Sequence, residues 1–145
     1  MSIFSIRTRR WATAIAAAGA ASVISVAPAN AAGTTVVAYT SDGGSPGGKA
    51  IFHGNASPEW AEVCDNQEDG MRVWAHVYWQ ANGDWNNGFT LTDADGSSDP
   101  ISCDGRPEHR EKAQIPEGAH VVVDVCLRNG ASGPKKHCGS VIGKA

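Results

Sequence analysis

The chain has 145 residues, of which 41% are hydrophobic and 7% aromatic, and its formal net charge is −3. That length suits one domain and excludes two of ordinary size. The acidic balance argues against nucleic-acid or anionic-membrane partners, because both draw on clustered Lys and Arg.

The N-terminal stretch reads as an address. Arg7, Arg9 and Arg10 precede an apolar, alanine-rich run from Trp11 to Val26, followed by Ala29-Asn30-Ala31. A basic start, an apolar middle and an A-x-A end describe a secretory signal peptide over residues 1–31, a signal helix cleaved on export. The apolar middle is shorter than the roughly 20 residues of a membrane span. The Arg9-Arg10 pair raises export in the folded state, but the residues after it match a twin-arginine signal poorly, so ordinary export is the expectation. Without residues 1–31 the chain carries nine Lys and Arg against fifteen Asp and Glu, a formal charge of −6. No second run reaches membrane length, so a soluble extracellular product is expected.

Thr34 to Tyr39 has β-branched character and reads as an edge strand. Residues 41–49, Ser-Asp-Gly-Gly-Ser-Pro-Gly-Gly-Lys, read as a flexible arm or long turn. Residues 32–48 are thus expected to precede the main domain over residues 49–145. Short strand candidates follow at Ala50–His53 and Glu59–Cys64. From Met71 to Trp79 the pattern alternates: Met71, Val73, Ala75, Val77 and Trp79 share one side, and Arg72, Trp74, His76 and Tyr78 the other. A period of two predicts a strand buried on the first side. Gly88–Thr92 and Lys112–Ile115 are further candidates. Glu108–Gln114 offers one or two helical turns with no apolar face. Ala119 to Leu127 alternates again, with Ala119, Val121, Val123, Val125 and Leu127 inward and His120, Asp124 and Arg128 outward. His137–Ile142 closes the series. Asp69-Gly70, Asn82-Gly83, Asp95-Gly96, Asp104-Gly105, Pro116-Glu117-Gly118 and Asn129-Gly130 separate the strands with turn chemistry. Many short strands and no sustained helical period predict an all-β fold, a small antiparallel sandwich or barrel.

Four cysteines, Cys64, Cys103, Cys126 and Cys138, all follow the signal. An even count in a small exported chain reads as two disulfides. The turn residues between Cys126 and Cys138 would fold two strands together, which favours that pair and leaves Cys64 for Cys103. Two such staples would be a large share of a stability of about 5–15 kcal/mol. Zinc is disfavoured because no C-x-x-C occurs.

Little chemistry assembles by spacing. Asp93-Ala94-Asp95-Gly96-Ser97-Ser98-Asp99, with Asp104 beyond, offers oxygen ligands suited to calcium. It lacks the glycine, bidentate Glu and flanking helices of an EF-hand, so an acidic hairpin turn is the competing reading and no metal is assigned. Trp74 and Tyr78, flanking His76 and near Trp85, form a candidate binding row for sugars or a protein partner; the competing reading packs them beneath another element. His53, His76, His109, His120 and His137 form no recognisable catalytic spacing, and no H-E-x-x-H, G-x-S-x-G or phosphate loop occurs. His120 and Asp124 share a face and read as a polar stripe rather than a base with its orienting carboxylate. No catalytic residue and no cofactor is expected.

The order Phe52, Val63-Cys64-Asp65, Asp69-Gly70, Trp85, Cys103-Asp104, then a valine-rich strand with Cys126 and finally Cys138, resembles small secreted proteins of actinobacteria. The resemblance covers about residues 49 to 140. It implies export and two cysteine pairs, and it carries over no catalytic residue. Secreted inhibitors of proteases and amylases share this size, but the Trp-Arg-Tyr triplet of the amylase inhibitors is absent, and Tyr78-Trp79-Gln80 is the nearest aromatic group. The expectation is a secreted, non-enzymatic β-domain that binds an extracellular protein or polysaccharide through Trp74, Tyr78 and Trp85. An inhibitor of a secreted hydrolase is the alternative, and a small hydrolase comes third.

Overall fold

The computed structural model describes residues 33–93 and 110–145. Within them the chain is all-β, with eight strands: β1 (Thr35–Tyr39), β2 (Gly48–His53), β3 (Glu59–Asp65), β4 (Met71–Ala81), β5 (Asp84–Asp93), β6 (Arg110–Ala113), β7 (His120–Asn129) and β8 (Lys135–Lys144). They form two antiparallel four-stranded sheets, in the orders β1-β2-β3-β6 and β5-β4-β7-β8. The first three strands make a meander, the chain crosses for the β4–β5 hairpin, returns for β6, and crosses again for the β7–β8 hairpin.

Alternation decides what each sheet buries. Val73, Ala75 and Val77 of β4 and Val121, Val123, Val125 and Leu127 of β7 point inward, as the period of two requires. They meet Ala38, Ala50, Phe52, Ala61 and Val63 of the first sheet in one core. Met71, Trp79 and Phe89 pack against its margin. The core is therefore mostly Val and Ala, and Phe52, with no exposed surface, is its largest fully buried side chain.

Two local signals set the register. Asn82 and Gly83, with φ of 54° and 91°, make the two-residue turn between β4 and β5, where both positions need positive φ. In β8, two residues, His137 and Cys138, stand opposite Cys126 alone, since Val125 pairs with Gly139 and Leu127 with Lys136. That extra residue is a β-bulge, and His137 takes it up at a φ of 50°.

The bulge also lets the two sheets meet along one side. The Ser41 amide donates to the His137 carbonyl at 2.9 Å, and at the far end the Thr34 amide donates to the Lys144 carbonyl at 2.9 Å. The Lys144 amide in turn donates to the Thr34 hydroxyl at 2.9 Å. Gly139 faces this seam, where any Cβ would collide with the Tyr39 carbonyl oxygen.

The strands exceed the sequence expectations at several ends. β5 begins at Asp84 rather than Gly88, and β8 runs from Lys135 to Lys144 rather than from His137 to Ile142. The Glu108–Gln114 stretch contributes strand β6 at Arg110–Ala113, not a helical turn, because pairing with β3 supplies what its own sequence lacks. Residues 41–47 form the connection between β1 and β2. There the Asp42 carboxylate accepts from the Gly47 amide at 2.7 Å, and the Gln67 amide side chain donates to the Ser45 carbonyl at 2.7 Å. Burial alone would raise the Asp42 pKa, but hydrogen bonds from Thr40, from Gly47 and from its own amide hold it below the usual carboxylate value. The signal segment, Cys103 and Asp95–Asp99 lie outside the described residues.

Truncating Phe52 leaves a hole that the short side chains around it cannot fill. Phe52→Ala is expected to lower unfolding free energy by ~3–5 kcal/mol, read as a fall in the urea midpoint at unchanged slope.

Candidate functional site

The outer face of the β5-β4-β7-β8 sheet carries the candidate site. Pairing register lines its residues up in lanes that cross four strands. One lane runs Thr90, His76, Asp124, Ser140, and the next runs Gly88, Tyr78, Val122, Ile142. A third brings Thr92, Trp74 and Cys126 side by side. The first lane is polar and the second largely apolar.

Along β4 the rings of Trp74, His76 and Tyr78 follow one another. The centroid of Trp74 is 5.9 Å from that of His76, and His76 stacks on Tyr78 at 4.8 Å. Backbone repeat alone would separate same-face neighbours by about 6.8 Å, so the rings lean together. Tyr78 then meets Trp85 edge-on at 5.7 Å, which extends the row across the hairpin. Gly88 makes room for it: a Cβ there would come within 2.8 Å of His76 Nε2. At the other end Lys135 Nζ sits 3.1 Å from the centre of the Trp74 ring, a cation–π contact. Trp85 is 45% exposed and Ile142 65% exposed.

Between the row and β8 lies an open groove of about 430 Å³, lined by Trp74, His76, Asp124, Cys126, Lys135, Cys138, Gly139 and Ser140. Its floor includes the Cys126–Cys138 disulfide, which ties β7 to β8. Asp124 is the carboxylate of the groove. Burial, then the Asp124 charge and hydrogen bonding to its carboxylate, raise the Tyr78 pKa. Burial lowers the His76 pKa; Lys135 adds to this and Asp124 opposes it. The imidazole is consequently kept neutral to lower pH than a free histidine.

Trp74, Tyr78 and Trp85 share one patch, on the outside of the sandwich rather than beneath a second sheet. Sequence reading did not find Asp124, Lys135, Ser140 and Ile142 as their neighbours. His120 and Asp124 do share a strand, but the partner that register brings beside Asp124 is His76. The order His76, Asp124, Ser140 puts the carboxylate between imidazole and hydroxyl. Ser140 is thus two strands from His76, roughly 10 Å, too far for proton transfer between them.

A smaller feature lies on the opposite face. His53 stacks on Trp60 at 3.7 Å, and His53 Nε2 is 3.3 Å from a Glu62 carboxylate oxygen. Ala56, Ser57, Pro58, Trp60 and Lys112 line a cleft of about 280 Å³ beside it. Among the described residues no group of three or more His, Cys, Asp and Glu side chains is placed to hold a metal ion. Asp93, the first residue of the calcium candidate, is buried and accepts a hydrogen bond from the Asp65 amide at 2.9 Å. The rest of that segment lies outside the described residues.

No family model matches the chain, and neither a curated protein nor a solved structure matches it.

The lowered His76 pKa has a signed consequence. An unfolded imidazole takes up its proton near pH 6.5, whereas the folded one does so only at lower pH. Through that window the unfolded chain binds more protons, so this contribution to stability is complete above about pH 6.5 and is lost as pH falls. Urea unfolding at about pH 7.5 and 5.5 is expected to show a smaller pH dependence in His76→Gln than in the parent chain.

Proposed function

We propose that the chain is an exported, non-enzymatic binding domain that docks an extracellular protein on the outer face of the β5-β4-β7-β8 sheet. The observation that carries this is an inversion of packing. The core is filled with Val and Ala, while Trp74, His76, Tyr78 and Trp85 form a row outside it. Half-exposed Trp and Tyr side chains beside an exposed aliphatic residue are the composition of a protein-binding hot spot. Ile142, in the same lane as Tyr78, extends the apolar surface to β8.

Ring geometry favours a protein over a polysaccharide. Stacking on sugars uses open ring faces, but His76 and Tyr78 cover each other and Lys135 covers Trp74. Apart from the exposed Trp85, what remains for a partner is ring edges with polar tips, next to the Asp124–Lys135 groove. A hydrolase is one kind of protein that fits, and an inhibitor is accordingly one form of this reading. The separation of Ser140 from His76 supports binding rather than catalysis.

Export rests on the signal-like sequence of residues 1–31 and on the resemblance to secreted actinobacterial proteins. An oxidised Cys126–Cys138 pair is compatible with an extracellular location. Cys64 is fully buried in β3, and we propose that its partner is Cys103. Intact mass of the protein recovered from medium is expected to show a chain starting at Ala32 and four cysteines in two disulfides. Met1 retained, or four alkylated thiols, would reverse the assignment.

Docking is tested by capture from culture medium, with each captured protein then measured as a purified partner. Tyr78→Ala and Trp85→Ala are each expected to weaken its binding at least about tenfold. Tyr39→Ala, exposed on the other sheet, is expected to leave binding unchanged. A partner insensitive to Tyr78→Ala and Trp85→Ala, or saturable binding of a neutral polysaccharide lost in both, would reject a protein partner on this face.

A further inference from the structure

The groove has a disulfide in its floor. Cys126 and Cys138 are joined between neighbouring strands, and both line the groove. The two residues differ in access: Cys126 is buried, at 3% exposure, while Cys138 is an exposed residue of β8. Lys135 lines the same groove, so an anionic nucleophile arrives beside positive charge, with Asp124 the one carboxylate among the lining residues.

A second observation concerns the backbone at Cys138. His137, its neighbour, holds a φ of 50° within the bulge, a left-handed conformation that few residues other than glycine adopt. The disulfide helps to hold that bulge, because it fixes Cys138 against Cys126 while His137 and Cys138 share one partner position. The same bulge presents the His137 carbonyl to the Ser41 amide. The bond therefore joins three features: the groove floor, a strained backbone residue and the seam between the sheets.

We propose that the Cys126–Cys138 disulfide is a thiol-exchange site, attacked at Cys138 by a small thiol entering through the groove. The thiolate sulfur bonds to Cys138 Sγ, the bond between Cys138 and Cys126 breaks, and Cys126 Sγ leaves with the electron pair and takes up the proton that the thiol gave up. One disulfide is exchanged for another, with no net oxidation. A second thiol then releases Cys138 as a free thiol and leaves as the symmetrical small-molecule disulfide, so the two electrons that reduce the protein come from the two thiols. Exchange places an adduct in the groove and frees the bulge at His137, which changes the surface next to Trp74. Cys64, without exposed surface, does not take part. The site stands whether or not a protein docks on this face.

The test is a titration of the native chain with reduced glutathione, quenched with acid and mapped by peptide mass spectrometry. The expected product carries one glutathione on Cys138, with Cys126 free to alkylate and Cys64 unmodified, at concentrations where circular dichroism and the urea midpoint still report a folded β-domain. Cys126→Ser supplies the control: its lone Cys138 is expected to be capped by oxidised glutathione within the folded state. Trp74→Phe reports on location, because indole fluorescence rising on reduction is expected to vanish in that variant. Adduct mapped to Cys126, labelling of Cys64 in step with Cys138, or reaction confined to denaturing conditions would each overturn the proposal. So would an uncapped Cys138 in Cys126→Ser.

Discussion

The short reach of valine and alanine between the two sheets is the constraint on which the rest of this structure depends. Face-to-face sheets pack about 10 Å apart, and the inner positions here are filled by Val73, Ala75 and Val77 from one side and Ala50, Ala61 and Val63 from the other. Such side chains leave space for Phe52 as the one fully buried ring, with Trp79 and Phe89 at the margin. Trp74, Tyr78 and Trp85 cannot share that interior. They stand outside it by geometry, and the outer face owes its character to what the core has no room to hold.

That exclusion also explains why the outer face is organised rather than merely greasy. A ring on β4 has neighbours at fixed cross-strand distances, so leaning of His76 onto Tyr78 and of Lys135 onto Trp74 removes apolar surface from water within the sheet itself. Gly88 contributes by having no side chain where the His76 ring lies. The polar lane of Thr90, His76, Asp124 and Ser140 then sits beside the apolar lane of Tyr78, Val122 and Ile142, giving the face both anchors and hydrogen-bonding groups.

The inner set is legible in the sequence, and the reason is local. Alternation over Met71–Trp79 and Ala119–Leu127 is a property of adjacent residues, and it named Val73, Ala75, Val77, Val121, Val123 and Val125 as core. Asn82-Gly83 was legible as a turn because its positive φ demand has a residue signature. The site was only half legible. Trp74, Tyr78 and Trp85 are close in sequence and could be grouped from spacing. Asp124, Ser140 and Ile142 join them through register alone, and register is set by pairing between distant segments. The bulge opposite Cys126 was hidden for the same reason, since a surplus residue shows only against the strand it is paired with. β6 was ambiguous because Arg-Glu-Lys-Ala has no apolar period; its extended form comes from β3.

The seam between β1 and β8 bears on when this chain is able to become itself. Thr34 is held by Lys144, 110 positions later, so the first strand stays without its cross-sheet partner until the last has arrived. A chain emerging from its N-terminal side onward can assemble its hairpins early, but this closure waits until β8 is available. Thr34 and Ser41 thus act as receivers for a late strand, and the molecule behaves as a clasp whose two halves are separated by most of the intervening fold.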